Sequence, residues 1–366
     1  MCPGEEMTAM VTIADIARVC GVSKMTVSNV LNGRDSRVSA STKKRVLDAA
    51  AELNYQPSAA ARSLSVARSE IISLVYYAAA EGDLGLSNPH DAMLLGEIER
   101  HVSAAGKHLM IHAATDAADT ARRLRSWNVD GAVFLGVLAD EVEQLRRHQD
   151  VPMVFIDAYT DGGISTVGID DARGSYEATR LLLSAGHRAI AFAGPYAPSA
   201  GVINARYAGF ARALEEAGLD ADEMHVIANL TFADADAAAA DIIAHPQGFT
   251  AAVVTADILA IGLIKAFARR GIRVPDDFSL VGFDDLPIAE MVTPSLTTVR
   301  QDIAEKARAA VELLTEQLDG SRDPRRIVLE PMLVERETVA APRPRPASGD
   351  ARRRSPRVHL RGADVA

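Results

Sequence analysis

The chain has 366 residues, 48% hydrophobic and only 5% aromatic, with a net charge of −10. That length suits two or three soluble domains, and no apolar run approaches the roughly 20 residues of a membrane span. The two cysteines, Cys2 and Cys20, make neither a disulfide framework nor a metal-ligand spacing, which fits a reducing cytoplasm. Residues 1–10 contain Glu5 and Glu6 and no apolar core, so they do not read as a secretory signal and are expected to be disordered. The charge divides unevenly along the chain. Residues 11–65 hold eight Lys/Arg against four Asp/Glu, residues 343–366 hold seven Arg against two Asp, and the stretch 66–342 stands at −17. A basic head on an acidic body suits a molecule whose one end meets phosphate while its body stays off it.

Thr12 and Asp15 have capping-box spacing and predict a helix from Ile13, with Ile13, Ile16 and Ala17 on one face and Cys20 closing it. Gly21 sits where the chain must turn. Ser23 can cap a second helix that ends at Asn32-Gly33 and shows a small polar outer face: Lys24, Met25, Thr26, Ser28 and Asn29. Two short helices joined by a Gly-containing turn make a helix-turn-helix, whose second helix can enter a major groove and meet base edges and phosphates. A third helix opens near Ser39 or Ser41 and runs through Val46, Ala49, Ala50 and Leu53. Pro57 breaks it, and Ser58 can cap a short Ala-rich helix.

From Ser69 the pattern changes. Apolar runs at 71–77, 107–112, 130–136, 152–157, 189–194, 251–255 and 278–283 read as buried parallel strands. Helical stretches at 93–102, 139–147, 176–185, 205–217 and 258–270 intervene. Alternation of this kind builds α/β layers, and about 270 residues is too long for one open sheet, so two lobes are expected. No Gly-x-Gly-x-x-Gly, Walker, Gly-x-Ser-x-Gly or His-Glu-x-x-His pattern is present, so the chain reads as no enzyme and calls for no cofactor or metal. The adjacent Asp284-Asp285 reads as binding rather than acid/base work. The lone Trp127 reads as a packing residue. From Thr338 the composition changes again, and the Pro/Arg-rich stretch 341–366 is expected to be a disordered basic tail.

The run Val-Thr12-Ile-x-Asp-Ile-Ala, Gly-Val-Ser23-x-x-Thr26-Val-Ser28-x-Val-Leu-Asn32, Val38-Ser39 and Leu53-Asn-Tyr55-x-Pro-Ser58-x-x-Ala61-Arg62-x-Leu64 resembles the DNA-binding headpiece and hinge of the lac repressor (LacI/GalR) family of transcriptional regulators. Further stretches extend the resemblance over about 11–340, among them Val129-Asp-Gly131, Val167-Gly-Ile-Asp170, Arg206-Tyr-Ala-Gly209-Phe210 and Val281-Gly-Phe-Asp284-Asp285-Leu-Pro287. The resemblance implies an N-terminal all-α helix-turn-helix headpiece (11–57), a hinge helix and linker (58–68) and a two-lobed α/β core of the type I periplasmic-binding-protein kind (69–340). Crossovers between lobes are implied near Val167, Pro294 and Leu329.

The resemblance also assigns roles. DNA contacts fall on Thr12, Ser23, Lys24, Met25, Thr26, Ser28, Asn29, Asn32, Ser39, Thr42, Tyr55, Ala61 and Leu64, with Lys24 and Met25 reading bases and Leu64 wedging into the minor groove. Effector contacts fall on Arg206 and Asp284, with Phe232 and Asp157 as further candidates, and the facing loop 78–91 offers Asn88, His90 and Asp91 as polar contacts. Plainer readings stand beside these: Arg206 as a helix cap, Phe232 as core. Ala256 replaces an Asn found in several sugar-binding members, and Asn204 stands where some carry another polar contact. The expected molecule is a cytoplasmic, homodimeric repressor that binds double-stranded operator DNA under the control of a small carbohydrate-like effector, without a membrane partner. The alternative is a sugar-binding or sugar-modifying α/β protein with no DNA-binding role.

Overall fold

The structure is a computed structural model. It describes residues 11–56, 68–77, 85–114, 116–137, 139–148, 151–160, 163–195, 201–221, 224–229 and 232–343. The chain separates into two compact units, one ending at Ser69 and one beginning at Glu70.

The first unit holds α1 (Ile13–Cys20), α2 (Lys24–Leu31) and α3 (Ala40–Glu52). The backbone N–H and the hydroxyl of Thr12 both donate to the Asp15 carboxylate, at 3.1 and 2.7 Å, which fixes the start of α1. Gly21 closes that helix at φ 62°, a left-handed conformation that is cheap without a Cβ. Ser23 and Ser39 cap α2 and α3 by accepting from the N–H groups of Thr26 and Thr42. Ile16, Ala17, Cys20, Val27, Val30, Val46, Ala49 and Ala50 form the buried core of the unit.

The second unit contains two six-stranded sheets. One is built from β1 (Ile71–Tyr77), β2 (His108–Ala114), β3 (Gly131–Leu135), β4 (Met153–Ile156), β5 (Ser165–Ile169) and β11 (Arg326–Leu329), in the order β11-β5-β4-β3-β1-β2. The other is built from β6 (Ile190–Gly194), β7 (His225–Ile227), β8 (Ala251–Val254), β9 (Ser279–Asp284), β10 (Thr298–Arg300) and β12 (Met332–Val334), in the order β12-β10-β9-β8-β6-β7. Neighbours run parallel except β10 and β12. Every residue of β3, β6, β8 and β9 is buried, as expected of strands whose apolar runs are covered on both faces.

Helices α4 (Pro89–Ala104), α5 (Ala117–Ser126), α6 (Ala139–His148) and α12 (Ile303–Leu318) belong with the first sheet. Helices α7 (Asp171–Ser184), α8 (Val202–Glu216), α9 (Phe232–Ala244), α10 (Asp257–Arg269) and α11 (Pro287–Met291) belong with the second. Helices α7 and α8 approach so closely that a Cβ on Gly209 would stand 1.9 Å from the Ala172 carbonyl oxygen.

The chain passes between sheets after β5, after β10 and after β11. The second passage comes after Arg300, later than the expected Pro294, because Pro294 lies ahead of β10, a strand still paired within the second sheet. Helix α4 begins at Pro89 rather than near Met93. Thr338 is fully buried and its hydroxyl donates to the Leu280 carbonyl at 2.7 Å. The Arg343 guanidinium reaches Asp277 at 2.6 Å. Residues 341–343 are therefore pinned to the second sheet's unit, a correction to a tail that begins at 341; the expected hinge helix, the first ten residues and the rest of the tail lie outside the described residues. Trp127 is also a correction: it is 63% exposed at the C-terminal end of α5 and packs in no core. Among the described residues no helix is long and apolar enough to cross a membrane.

Candidate DNA-reading helix and inter-sheet cleft

In the first unit α2 buries Val27 and Val30 and turns Lys24 and Met25 outward from its first turn. Met25 is 73% exposed, an unbranched apolar side chain with no part in the core. Ser23 is exposed, whereas Thr26, Ser28 and Asn29 are half-buried along the same helix. The Thr26 hydroxyl lies 2.9 Å from that of Ser23, and the exposed Asn32 amide donates to the Ser28 hydroxyl at 3.2 Å. Thr12 is occupied in the α1 cap, and Ser39 with Thr42 makes the α3 cap. The amino ends of two helices thus present backbone N–H groups beside hydroxyls, a favourable setting for phosphate. Tyr55 is half-buried against the headpiece core, so its ring supports the fold whatever its hydroxyl meets. Ala61 and Leu64 lie outside the described residues.

In the second unit the carboxyl ends of strands from both sheets converge on a cavity of about 350 Å³. Tyr76, Leu135, Gly136 and Asp157 line it from the first sheet. Pro195, Thr255, Ala256 and Asp284 line it from the second, with Arg206 from α8 and Gln301 after β10. Asn88, His90 and Asp91 enter from the start of α4. Asn88 is the last residue before α4, and its side chain caps the helix by accepting from the His90 N–H at 3.2 Å, with Pro89 in the first turn; Asp91, expected on the loop, lies in that first turn instead. Of the seven expected effector residues, six (Arg206, Asp284, Asp157, Asn88, His90 and Asp91) line this one cavity. Phe232 begins α9, and its side chain lies outside the described residues. Another concavity, of about 380 Å³, lies at the amino ends of β4 and β5 beside Met153 and Ser165, the end of parallel strands where ligands are not expected.

The polar groups of the cleft are largely spent on one another. Arg206 donates through Nε to Asp171 at 2.7 Å and through an Nη atom to the Thr255 carbonyl, and its guanidinium lies 3.6 Å from the centre of the Phe283 ring. Tyr159 donates to the other Asp171 oxygen. Asp157 accepts from Lys306 through both oxygens, at 3.0 and 2.9 Å. Asp284 accepts from the Gln301 amide at 2.7 Å, and His90 Nδ1 lies 2.8 Å from Asp91. Among the described residues of the lining, two carry a fully buried side-chain atom without a hydrogen-bond partner: Nε2 of His90 and Oγ1 of Thr255.

Burial raises the Asp284 carboxyl above its ordinary range, although His90, Arg206, the Gln301 amide and Lys306 all oppose that. Burial pulls the His90 imidazolium down, but the bond to Asp91 and the charge of Asp284 outweigh it and leave its pKa raised. Behind the lining, Asp257 is held well above the usual carboxylate range by burial and by the Asp284 charge. It accepts from the Leu286 N–H at 2.8 Å and from the Thr298 hydroxyl at 2.5 Å.

Sequence reading missed Lys306, Asp171, Thr255, Asp257 and Tyr159. Asn88-Pro89 is a cap-and-first-turn signal that was available for the start of α4. Lys306 left none, because a lysine in an amphipathic helix usually marks the solvated face. Asn204 is exposed and outside the cavity lining, and Ala256, at the start of α10, supplies no side-chain cap.

A helix-turn-helix unit followed by a two-sheet α/β core with a ligand-sized cleft defines a ligand-responsive DNA-binding regulator. Residues 12–58 match the model for bacterial regulatory proteins of the lacI family, and residues 179–339 match the periplasmic binding protein-like domain. Among the similar proteins is the HTH-type transcriptional repressor PurR of Vibrio atlanticus (strain LGP32), 34% identical over 339 residues, covering 90% of this chain and 99% of the relative. The HTH-type transcriptional regulator RegA of Clostridium saccharobutylicum is 31% identical, covering 90% of this chain and 99% of its own. Among solved structures, a complex of the transcriptional regulator CelR with cellobiose is 27% identical with a TM-score of 0.67, covering 90% of this chain and 99% of that one. A lac repressor dimer bound to operator and the anti-inducer ONPF shares the fold, with a TM-score of 0.81 at 24% identity, covering 91% and 100%. The chain belongs to the lacI family of bacterial regulatory proteins. It is a DNA-binding transcriptional regulator, and these relatives are regulators rather than enzymes.

Proposed function

We propose that this regulator is a cytoplasmic homodimeric repressor whose operator affinity is set by a small neutral carbohydrate held between the two sheets of its core. The observation that carries this reading is the cavity of about 350 Å³ at the carboxyl ends of both sheets, where polar groups from α4, α8, β9 and the segment after β10 converge. Its volume suits a monosaccharide-sized molecule. The mixed donors and acceptors that Asn88, His90, Asp91, Asp284 and Gln301 bring to the lining suit hydroxyl groups, which both donate and accept. The Arg206 fork is engaged with Asp171 and the Thr255 carbonyl, which makes bidentate capture of a ligand carboxylate or phosphate a poor fit. Cellobiose in the CelR complex supports a sugar as ligand class. A two-fold dimer presents one reading helix to each half of a near-palindromic site, and Lys24, Met25, Thr26, Ser28, Asn29 and Asn32 are the residues proposed to meet it, with Asp284, Asn88 and Asp91 proposed to meet the sugar.

The test is selection of bound duplexes from a random pool by the full-length protein, repeated with a panel of neutral monosaccharides. A recovered near-palindrome, released by one of the sugars, supports the reading. A recovered operator released only by charged or purine ligands overturns the carbohydrate assignment. Recovery of no preferred sequence overturns the repressor reading.

A further inference from the structure

Lys306 is 0% exposed, on the inner face of α12 in the first sheet's half of the core. Its ammonium meets three oxygens: both of Asp157, at 3.0 and 2.9 Å, and the side-chain carbonyl of Gln301, at 2.6 Å. Gln301 is 5% exposed, and its amide nitrogen donates at 2.7 Å to one oxygen of Asp284, at the end of the second sheet's central strand. A glutamine side chain has a donor end and an acceptor end, which differ little in shape. An ammonium has only donors. With Lys306 on one side, the carbonyl end must face it, and the N–H end must face Asp284.

We propose that Lys306 is a positioning residue for the cleft. By holding the Gln301 carbonyl, it turns the Gln301 amide toward Asp284, so that one Asp284 oxygen is spoken for and only the other is left to a ligand in the cavity that Asp284 lines. The significance for ligand choice rests on the effector-site reading above; the positioning itself does not. Asp157 is then the counter-ion that allows a fully buried ammonium, and both its oxygens serve Lys306 rather than a ligand. Without the lysine, the Gln301 carbonyl loses its partner, and only Asp284 is left to hold the amide, so the bond to Asp284 is less firmly aimed.

The experiment needs no ligand. The Asp284 carboxyl is titrated by carbon NMR in full-length protein labelled at aspartate carboxyls, its signal identified by loss in Asp284→Asn. Lys306→Met is combined with Asp157→Asn, so that no unpaired charge is left buried and the pair's net charge is unchanged. His90, Arg206 and Asp257, the other ionisable groups acting on or coupled to Asp284, are intact throughout. The midpoint of Asp284 is expected to rise by about one pH unit, the scale of losing one hydrogen bond to the ionised form. In a Gln301→Leu background the same pair change is expected to move it little. An unmoved midpoint shows that Lys306 only neutralises Asp157 and overturns the proposal. An equal shift in the Gln301→Leu background shows a direct action on Asp284 and overturns it too. Should the paired variant fail to fold, Gln301→Leu alone decides: it leaves the ion pair in place, and an Asp284 midpoint as in the parent protein overturns the proposal.

Discussion

Arg206, expected from resemblance to grip an effector, is also committed to the core by its neighbours. Its guanidinium is buried, paired with Asp171, bonded to the Thr255 carbonyl and stacked on Phe283. The Asp171 side chain is 1% exposed, so removing the arginine leaves a buried, unpaired carboxylate. Arg206→Ala is therefore expected to abolish the sugar response and also to lower core stability by about 3–5 kcal/mol. A urea melt with an unchanged midpoint would remove the structural half of that expectation. Asp257 poses the opposite case. Its folded pKa is raised, so the folded state holds the proton more tightly than the unfolded chain does. The stability this contributes is complete below the ordinary value of 3.8 and is lost as pH rises through the folded pKa. An asparagine there keeps an acceptor for the Leu286 N–H and offers a donor to the Thr298 oxygen. Asp257→Asn should melt no lower than the parent at neutral pH and show a flatter loss of stability from about pH 4 upward. Equal destabilisation at both ends of a pH series of thermal melts would show that the charge itself is needed.

At the scale of elements, the contact between α7 and α8 sets two effects against each other. In an exposed helix, glycine to alanine gains roughly 1 kcal/mol from backbone propensity. At Gly209 the added Cβ meets the Ala172 carbonyl at 1.9 Å, so the helices must separate. Overpacking of this kind costs about 1–3 kcal/mol or more and should win. Gly209→Ala is expected to lower the unfolding midpoint of the core; a rise would show that the two helices have slack. For α2 the expectation concerns information rather than stability. Lys24 is exposed on the first turn and takes no part in the headpiece core. Lys24→Ala should leave the headpiece melt unchanged and alter the half-site recovered by selection, because a lysine there can donate to guanine acceptors. Recovery of the same half-site would move base reading elsewhere on the helix.

For the whole molecule, the two sheets are joined by three passages and line the cleft from both sides, so the cleft is where a balance between two arrangements of the sheets would be set. A ligand shifts such a balance only by its differential affinity for the two arrangements. Asp284 stands on the second sheet, while His90 and Asp91 stand on α4 with the first, so a molecule touching both favours one arrangement. Asp284→Asn is expected to leave operator affinity close to that of the parent while removing the sugar's effect on it. Operator-bound protein titrated with the releasing sugar, with calorimetry alongside, checks this. Release at the parent's sugar concentration would place the controlling contact elsewhere.

The helix-turn-helix was legible because its signals are local: a capping-box pair, a glycine at φ 62° and serine caps three residues ahead of their bonding partners. The α/β alternation was legible because strands buried on both faces must be apolar throughout. Arg206 and Asp284 were found through motif resemblance, and both line the cleft. Partners distant in sequence were not legible. Lys306 meets Asp157 across 149 positions, and Arg206 meets Asp171 across 35. Nothing local marks such pairings: Lys306 looks like an ordinary charge on a helix face, and even Arg206 and Asp157, both singled out by resemblance, give no sign of the counter-ion that packing brings beside them. The sequence by itself determined the headpiece helices, the most apolar core strands and the split into a basic head and an acidic body, but not the helix 303–318 or the short strands 298–300, 326–329 and 332–334. Only the tertiary structure decided which charges neutralise one another in the cleft, and so which polar atoms remain to meet a ligand, because burial and pairing depend on what the fold places within about 3 Å.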